Sequence, residues 1–273
     1  MRAALYRATG AARAVLEVVE LDVPEPGPGE VRVEISTSGI NPTDWKSRAG
    51  LAGRPVPDGF QIPHHDGAGR VDALGPGVTG LVVGQRVWLY LAAFGNRYGT
   101  AATYTVVPAE RAVPLPDEAS DELGASLGVP AVTPAHCLGG DPARLRGQTV
   151  LVAGGAGAVG HYAIELAKHA GAQVATTVSS ATKGELARAA GADLVLNYQQ
   201  DDVVERIREF AGHVDRIVEV ALGANIDIDV AVARPGTHIA VYAQERNAPQ
   251  LPTYELMAAN VTIRFALLYT VSP

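Results

Sequence analysis

Residues 155–160 have the types and spacing of a phosphate-binding turn. Their sequence, Gly155-Ala156-Gly157-Ala158-Val159-Gly160, fits the pattern G-x-G-x-x-G and lies between a short apolar strand and a helix. In such a turn Gly155 permits the tight bend, Gly157 lets the backbone approach a pyrophosphate, and Gly160 lets the helix pack against the strand. The start of the helix then offers free N–H groups to the phosphates. We predict a dinucleotide-binding turn, with an ordinary glycine-rich strand-to-helix connection as the alternative.

The end of the following strand bears on which dinucleotide binds. Proteins that bind an unphosphorylated ribose usually place Asp or Glu about 20 residues after the turn. This sequence has Ser179, Ser180 and Lys183 there instead. Their hydroxyls and ammonium group can donate hydrogen bonds to a 2′-phosphate. We therefore expect NADPH rather than NADH, with a solvated lysine at a helix start as the alternative for Lys183.

Strands and helices alternate around this turn, from residue 122 to residue 273. We predict strands at 149–153, 173–178, 193–196, 216–220, 237–242 and 260–268, and helices at 159–170, 183–190, 203–210 and 226–233, the last ended by residues 234–236. This alternation favours an α/β fold with a doubly wound parallel sheet covered by helices on both faces.

Residues 1–121 have a different pattern, with short β-rich runs separated by Gly/Pro turns. We predict strands at 15–19, 30–35, 69–74, 85–90 and 103–107. Frequent turns between short strands are typical of an irregular barrel or sandwich. We place the boundary between two domains after residue 121.

Composition and charge exclude several classes of protein. The net charge of −7 over 273 residues argues against non-specific binding of nucleic acid or anionic membranes as the main task. The single cysteine, Cys137, can form neither an intramolecular disulfide nor a four-cysteine zinc site. We find no signal peptide and no apolar run of about 18 residues, so we expect a cytoplasmic protein without a membrane span.

Several segments occur in an order that resembles one known family. They are residues 39–44, 63–69, 128–135, 153–160 and 191–198. The chain is similar to the zinc-free quinone oxidoreductase branch of the medium-chain dehydrogenase/reductase superfamily, in particular to its zeta-crystallin group. The resemblance implies a GroES-like catalytic domain, a Rossmann NADP-binding domain and an active site between them. It also implies a homodimer formed through the strand at 260–268, and a further segment after Pro273 that returns to the catalytic domain.

The resemblance also suggests that the protein has no metal site. Zinc-dependent relatives hold a catalytic zinc with Cys, His and Cys, where this chain has Asn41, His65 and Val129. Neither an amide nor a valine replaces a thiolate, so we expect no zinc at this position. Without a Lewis acid, oxidation of an alcohol is disfavoured and reduction of an electron-poor acceptor remains.

The resemblance assigns roles to individual residues. It places Asn41 and Asp44 near the nicotinamide and the substrate as candidate catalytic residues, although both could be simple turn formers. The proton could come from water, Asn41, Asp44 or Lys46. Besides the turn and the serines and lysine after it, cofactor contacts are expected from Lys46, Thr133, Tyr198, Asn225, Val241, Tyr242, Ala243, Gln244, Phe265, Ala266 and Leu267.

Three positions depart from the family and leave the substrate open. Relatives often carry tyrosines where this chain has Lys46, Ala52 and Ala101, and such rings stack on quinones and on the nicotinamide. The resemblance nevertheless implies an NADPH-dependent quinone oxidoreductase that transfers hydride without zinc. The alternatives are an NADPH-dependent reductase of enones or enoyl thioesters, and a non-catalytic NADPH-binding protein.

Overall fold

The computed structural model describes residues 1–51, 53, 55–56, 59–245 and 247–270. The chain divides into two compact units, Met1–Val129 and Pro130–Thr270. The division lies inside a helix that spans Asp121–Cys137, whereas we predicted a boundary after residue 121. Ala52, which we named as a departure from the family, lies outside the described residues.

The first unit is built mainly from antiparallel strands. Its elements are β1 (Arg2–Leu5), α1 (Ala12–Val15), β2 (Glu17–Glu20), β3 (Glu30–Gly39), α2 (Pro42–Arg48), β4 (Asp66–Leu74), β5 (Arg86–Leu89), β6 (Tyr104–Pro108) and β7 (Ala112–Pro114). β1 pairs with β2, and the other strands form a five-stranded sheet in the order β6-β3-β4-β5-β7. Alternate residues such as Val31 and Val33 of β3 are fully buried and pack against Val71, Val87 and Leu89. One buried face with a more exposed opposite face is usual in antiparallel sheets.

Two predictions in this unit need correction. The strand predicted at 15–19 begins later, because Ala12–Val15 forms one helical turn closed by backbone bonds such as Leu16 N to Ala12 O. A short apolar run cannot by itself distinguish a helix from a strand. The helix α2 was not predicted, yet it carries two of the residues that we singled out, Asp44 and Lys46.

The second unit contains a parallel sheet with helices between its strands. The elements that follow in the chain are α3 (Asp121–Cys137), β8 (Thr149–Val152), α4 (Ala158–His169), β9 (Gln173–Val178), α5 (Ala181–Ala189), β10 (Leu194–Asn197), α6 (Val203–Ala211), β11 (Val214–Glu219), α7 (Leu222–Val232), β12 (Ala233–Val241), α8 (Thr253–Ala258) and β13 (Thr262–Phe265). All six strands are parallel and lie in the order β10-β9-β8-β11-β12-β13. This doubly wound order confirms the predicted fold class.

The central strand β8 shows why this sheet needs helices on both faces. All four of its residues are buried. Val150 and Val152 join one apolar cluster with Ile164, while Leu151 joins another with Ile217. Successive residues of a strand point to opposite faces, so a continuous apolar run supplies both cores at once.

Prolines account for the main differences in this unit. The sequence reading did not predict helix α3, which contains Pro130 and Pro134, residues that normally interrupt helices. Residues 234–236 belong to β12, which begins directly after α7 and whose register with β11 shifts at this point.

The strand predicted at 260–268 is limited to Thr262–Phe265. In the described part of the chain, no helix is long and apolar enough to cross a membrane.

Candidate cofactor and active site

The glycine turn joins β8 to α4, as the sequence predicts, and its glycines divide into two kinds. Gly155 and Gly160 are buried. A Cβ on Gly155 would lie 2.1 Å from the Thr176 hydroxyl, and one on Gly160 would lie 2.4 Å from the carbonyl oxygen of Gly154. Gly157 is exposed, and a Cβ there would meet only the Gly154 carbonyl, at 3.3 Å. Packing within the chain therefore requires Gly155 and Gly160, whereas Gly157 leaves space on the open side of the turn.

The same turn opens the helix with unused hydrogen-bond donors. Gly157 is the N-cap of α4 and provides no side-chain cap, and the first turn carries no acidic residue. The N–H groups of that turn are left without helical partners and carry partial positive charge. Gly154, with φ +71°, allows the chain to bend before the turn; it stands directly ahead of the G-x-G-x-x-G pattern, which we began at Gly155. This end of α4 fits a pyrophosphate.

Three of the predicted ribose-phosphate residues lie at the carboxyl ends of the neighbouring strands β9 and β10. The Lys183 ammonium donates to the Ser179 hydroxyl at 2.9 Å. Tyr198 follows β10, is 53% exposed, and donates its backbone N–H to Val178 of β9. Among the described residues, Lys183 has no carboxylate within ion-pair distance. Ser180 differs, because its hydroxyl caps α5 by accepting from the Lys183 backbone N–H at 3.3 Å.

The remaining predicted cofactor residues are distributed between open and buried positions. Gln244, Phe265 and Leu267 are exposed, Tyr242 and Ala243 are half-buried, and Thr133, Val241 and Ala266 are buried. The amide of Asn225 donates to the Glu219 carboxylate at 2.9 Å, so this side chain is already used within the fold. Sequence reasoning did not identify Glu219, which is fully buried at the end of β11.

In the first unit, Asn41 and Asp44 form the start of helix α2. The backbone N–H of Asn41 donates to the Asp44 carboxylate at 2.7 Å, a contact between the N-cap and the third helical residue. The Asn41 amide donates to Asp66 at 2.7 Å, and the same Asp66 oxygen accepts the Val129 N–H at 2.8 Å. His65 Nε2 lies 3.9 Å from Asp44. All four polar side chains are buried.

Burial makes both carboxyl groups weak acids. It raises the pKa of Asp44 to about 7, against the opposing effect of backbone N–H groups of Asn41, His64 and His65. It also raises the pKa of Asp66 to about 7, against the hydrogen bonds from Asn41 and Val129 and with a small contribution from the Asp44 charge. An acid with a pKa near neutrality can hold and release a proton at physiological pH. In the sequence, Asp66 was noted only as part of the segment 63–69. The property that makes it a candidate is its complete burial, which the sequence did not reveal.

Two of the three positions that correspond to zinc ligands in relatives, Asn41 and Val129, are joined through Asp66. Asp66 accepts from both Asn41 and Val129, so the Asn41 amide nitrogen faces a carboxylate. In the part of the chain that the structure describes, no group of three or more His, Cys, Asp or Glu side chains is arranged to hold a metal.

A cavity of about 350 Å³ lies beside Asp44 in the first unit. Polar side chains on its wall include Tyr6, Asp44, Ser47, Gln61, His65 and Arg97. Its volume suits a small molecule. Neither Asn41 nor Lys46 lines it, and the Lys46 ammonium lies 6.0 Å from the centre of the exposed Trp45 ring instead. Of the candidate catalytic residues, Asp44 therefore has access to this cavity.

Two family models match separate parts of the chain. Residues 27–117 match the alcohol dehydrogenase GroES-like domain, and residues 158–273 match the zinc-binding dehydrogenase family. The chain is 33% identical over 230 residues to the chloroplast envelope quinone oxidoreductase homolog of Arabidopsis thaliana. The aligned region covers 82% of this chain and 69% of that protein. The chain belongs to the medium-chain dehydrogenase/reductase superfamily, in its quinone oxidoreductase branch.

The chain is also similar to proteins that are named for other activities. The 2-haloacrylate reductase of a Burkholderia species is 33% identical over 220 residues, covering 78% of this chain and 63% of that protein. A solved NAD-dependent alcohol dehydrogenase superposes with a TM-score of 0.87 at 29% identity, covering 97% of this chain and 84% of that one. The Escherichia coli quinone oxidoreductase complexed with NADPH superposes with a TM-score of 0.84 at 25% identity, covering 98% and 81%. The chain spans about two thirds of the length of the two curated relatives.

Proposed function

We propose that this member of the quinone oxidoreductase branch is an NADPH-dependent reductase that uses no zinc and passes hydride to a quinone. The observation that carries the proposal is the glycine turn followed by Ser179 and Lys183, with no carboxylate at the end of the next strand. The similarity to a quinone oxidoreductase complexed with NADPH supports it. When bound, NADPH would supply the hydride.

Residues of the second unit would bind and orient the dinucleotide. The N–H groups at the start of α4 would hold the pyrophosphate, and the bare Cα of Gly157 would let it approach. Ser179, Lys183 and Tyr198 would surround the 2′-phosphate, where the ammonium group offsets the phosphate charge. The exposed Gln244 and Leu267 lie after the adjacent strands β12 and β13, where they could contact the nicotinamide end.

Asp44 is the group in the first unit best suited to provide the proton. It lines the cavity, and burial raises its pKa to about 7, so a substantial fraction carries a proton at neutral pH. Asn41 would act indirectly. Its backbone N–H donates to Asp44 and orients that carboxyl group, and its side-chain amide donates to Asp66. We therefore propose Asp44 rather than Lys46 as the proton donor, because Asp44 lines the cavity and Lys46 does not.

A reductase of activated alkenes is the second candidate. At two positions where relatives often carry a tyrosine, this chain has Lys46 and Ala101. Two aromatic side chains that could stack on a quinone are therefore replaced. The similarity to a 2-haloacrylate reductase also favours an alkene acceptor.

The test is a steady-state comparison of NADPH and NADH oxidation with 1,4-benzoquinone and with an enone. We expect turnover with NADPH, and the better acceptor distinguishes the two reductases. Tight NADPH binding without turnover on either acceptor would instead favour the non-catalytic binding protein. Faster turnover with NADH would contradict the cofactor assignment.

We also propose a cytoplasmic homodimer formed through β13. This strand is an edge of the parallel sheet, and Phe265 on it is 68% exposed. An open edge with exposed apolar side chains favours pairing with a second copy. A monomeric mass by light scattering would reject the dimer, and a Phe265→Glu variant should shift a dimer towards monomer.

A further inference from the structure

We propose that the cavity beside Asp44 binds an anionic group of the acceptor through Arg97, so that carboxylate-bearing enones or quinones are the preferred substrates. This inference rests on the proposed reductase function and narrows its substrate class. It comes from hydrogen-bond donors that line the cavity and have no partner among the residues that the structure describes.

Arg97 presents a positive charge that the described residues do not neutralise. The central carbon of its guanidinium lies over the Phe60 ring, 5.4 Å from the ring centroid, and Phe60 in turn meets Tyr98 edge-on at 5.9 Å. Within the described residues, the guanidinium forms no hydrogen bond and no ion pair. A guanidinium with no hydrogen-bond partner keeps its N–H groups available, and these can bind a carboxylate through two parallel bonds.

The backbone that carries Arg97 is held in place. Its carbonyl accepts from the Ile62 N–H at 2.9 Å. The neighbouring Asn96 amide donates to Ala92 and Val106, at 3.0 and 2.7 Å, and the buried Gln61 amide donates to the Asn96 carbonyl at 3.0 Å. These bonds use the Asn96 and Gln61 amide N–H groups for structure. Arg97 is therefore positioned before any ligand arrives, which lowers the entropic cost of binding.

Two hydroxyl groups line the same cavity as Arg97. Neither the Tyr6 nor the Ser47 hydroxyl hydrogen-bonds to any residue that the structure describes. Burial raises the pKa of Tyr6, so its phenol keeps the proton and remains a donor. A cation and two hydroxyl donors on the wall of one cavity are a donor set for an anion.

Among the described residues of this wall Asp44 is the acidic group, and its protonation state determines whether an anion is tolerated. An ionised Asp44 would repel a carboxylate, whereas its protonated form does not. Burial keeps Asp44 protonated to a substantial extent at neutral pH. For an anionic enone the reaction balances as follows: hydride from NADPH adds to one alkene carbon, a proton adds to the other, the C=C bond becomes single, and NADP⁺ is released.

The test compares two acceptors that share the same enone, the anion 4-oxo-2-pentenoate and its uncharged methyl ester. We expect Arg97→Gln to raise the KM for the acid by about tenfold or more, since a hydrogen-bonded charge pair is lost, and to leave the ester within about twofold. Arg13→Gln is the matched control, because Arg13 is exposed on α1 and lies outside the cavity wall. An equal effect of Arg97→Gln on both acceptors would overturn the proposal.

A binding measurement separates this inference from the reductase function. Calorimetric titration of 4-oxopentanoate, the saturated product, is done with and without NADP⁺ on the wild-type chain and on Arg97→Gln. Binding that is lost in Arg97→Gln supports the anion site even if neither acceptor is turned over, in which case only the reductase function fails. Equal binding by both proteins, or none by the wild type, overturns the site. A raised KM for NADPH with both acceptors unaffected would assign Arg97 to a cofactor phosphate and also overturn it.

Discussion

Single carboxyl groups in the first unit differ in acidity because their surroundings differ. Burial dominates at Asp44 and raises its pKa to about 7. At Asp121 the Arg86 guanidinium, at 2.6 Å, lowers the pKa below its ordinary value. The same residue type is thus a neutral-pH acid at one position and a permanent anion at another. Chemical roles at this scale follow from contacts within a few ångströms.

The raised pKa of Asp44 predicts a pH profile. If protonated Asp44 donates the proton, kcat/KM should fall as pH rises through about 7. Asp44→Asn should lower kcat at pH 6.5 by about 10²-fold or more and remove this step. Asp22→Asn, at an exposed position, is the control. An Asp44→Asn profile that keeps the step would assign the proton to another group.

Lys183 predicts the preference between the two dinucleotides. Lys183→Ala removes the charge held beside Ser179 and should raise the KM for NADPH by about tenfold. NADH lacks the 2′-phosphate and is the matched control ligand, so its KM should change little. A parallel rise for both cofactors would show that Lys183 acts on a part that they share.

At the scale of elements, β8, the glycine turn and α4 form one strand-turn-helix unit whose glycines lie in different surroundings. Gly155 packs against Thr176, whose hydroxyl is itself held by a bond to Val152 at 2.7 Å. Gly157 is exposed at the helix start, and a Cβ there would contact only the Gly154 carbonyl oxygen, at 3.3 Å. Within one turn, therefore, Gly155 is required for packing, whereas we propose that Gly157 serves the approach of a ligand.

Two alanine variants test this separation. Gly155→Ala should lower the Tm by several degrees, because the new Cβ collides with the buried Thr176 hydroxyl. Gly157→Ala should change the Tm little and weaken NADPH binding by about tenfold or more, because the methyl group faces the phosphates. Thermal unfolding and calorimetric titration of both variants measure the two effects. Unchanged NADPH affinity in Gly157→Ala would place the pyrophosphate elsewhere.

For the whole molecule, buried carboxyl groups affect stability across the pH scale. Asp229 on α7 is buried, and neither of its carboxyl oxygens has a hydrogen-bond partner among the described residues. Burial, with a contribution from the Glu219 charge, raises the pKa of Asp229 to about 9. The unfolded chain releases this proton at much lower pH than the folded chain does. The free energy of unfolding therefore decreases as pH rises between the two pKa values.

Asp229→Asn should remove this dependence. The variant should exceed the wild type in unfolding free energy by more at pH 8 than at pH 5, with a slope of at most about 1.4 kcal/mol per pH unit. Asp227→Asn, two residues away on the exposed side of α7, is the control. Denaturant unfolding at both pH values measures the difference, and a constant difference would mean that Asp229 is ionised in the folded state.

The sequence by itself determined the parallel sheet and the position of the glycine turn. Both depend largely on local information, since buried strands such as 150–152 are continuously apolar and the G-x-G-x-x-G pattern stands directly between such a strand and a helix. Family resemblance added the segment with Asn41 and Asp44, but it assigned no role to Asp66. It also left the proton donor undecided.

Tertiary structure alone decided which polar groups are buried and which face open space. The acidity of Asp44, Asp66 and Asp229 depends on residues distant in the chain that exclude water from them. Tyr6, Ser47 and Arg97 are likewise separated by up to 91 residues in sequence and share one cavity wall. Helix α3 formed despite Pro130 and Pro134. Desolvation and packing act through space, and a local pattern carries no record of them.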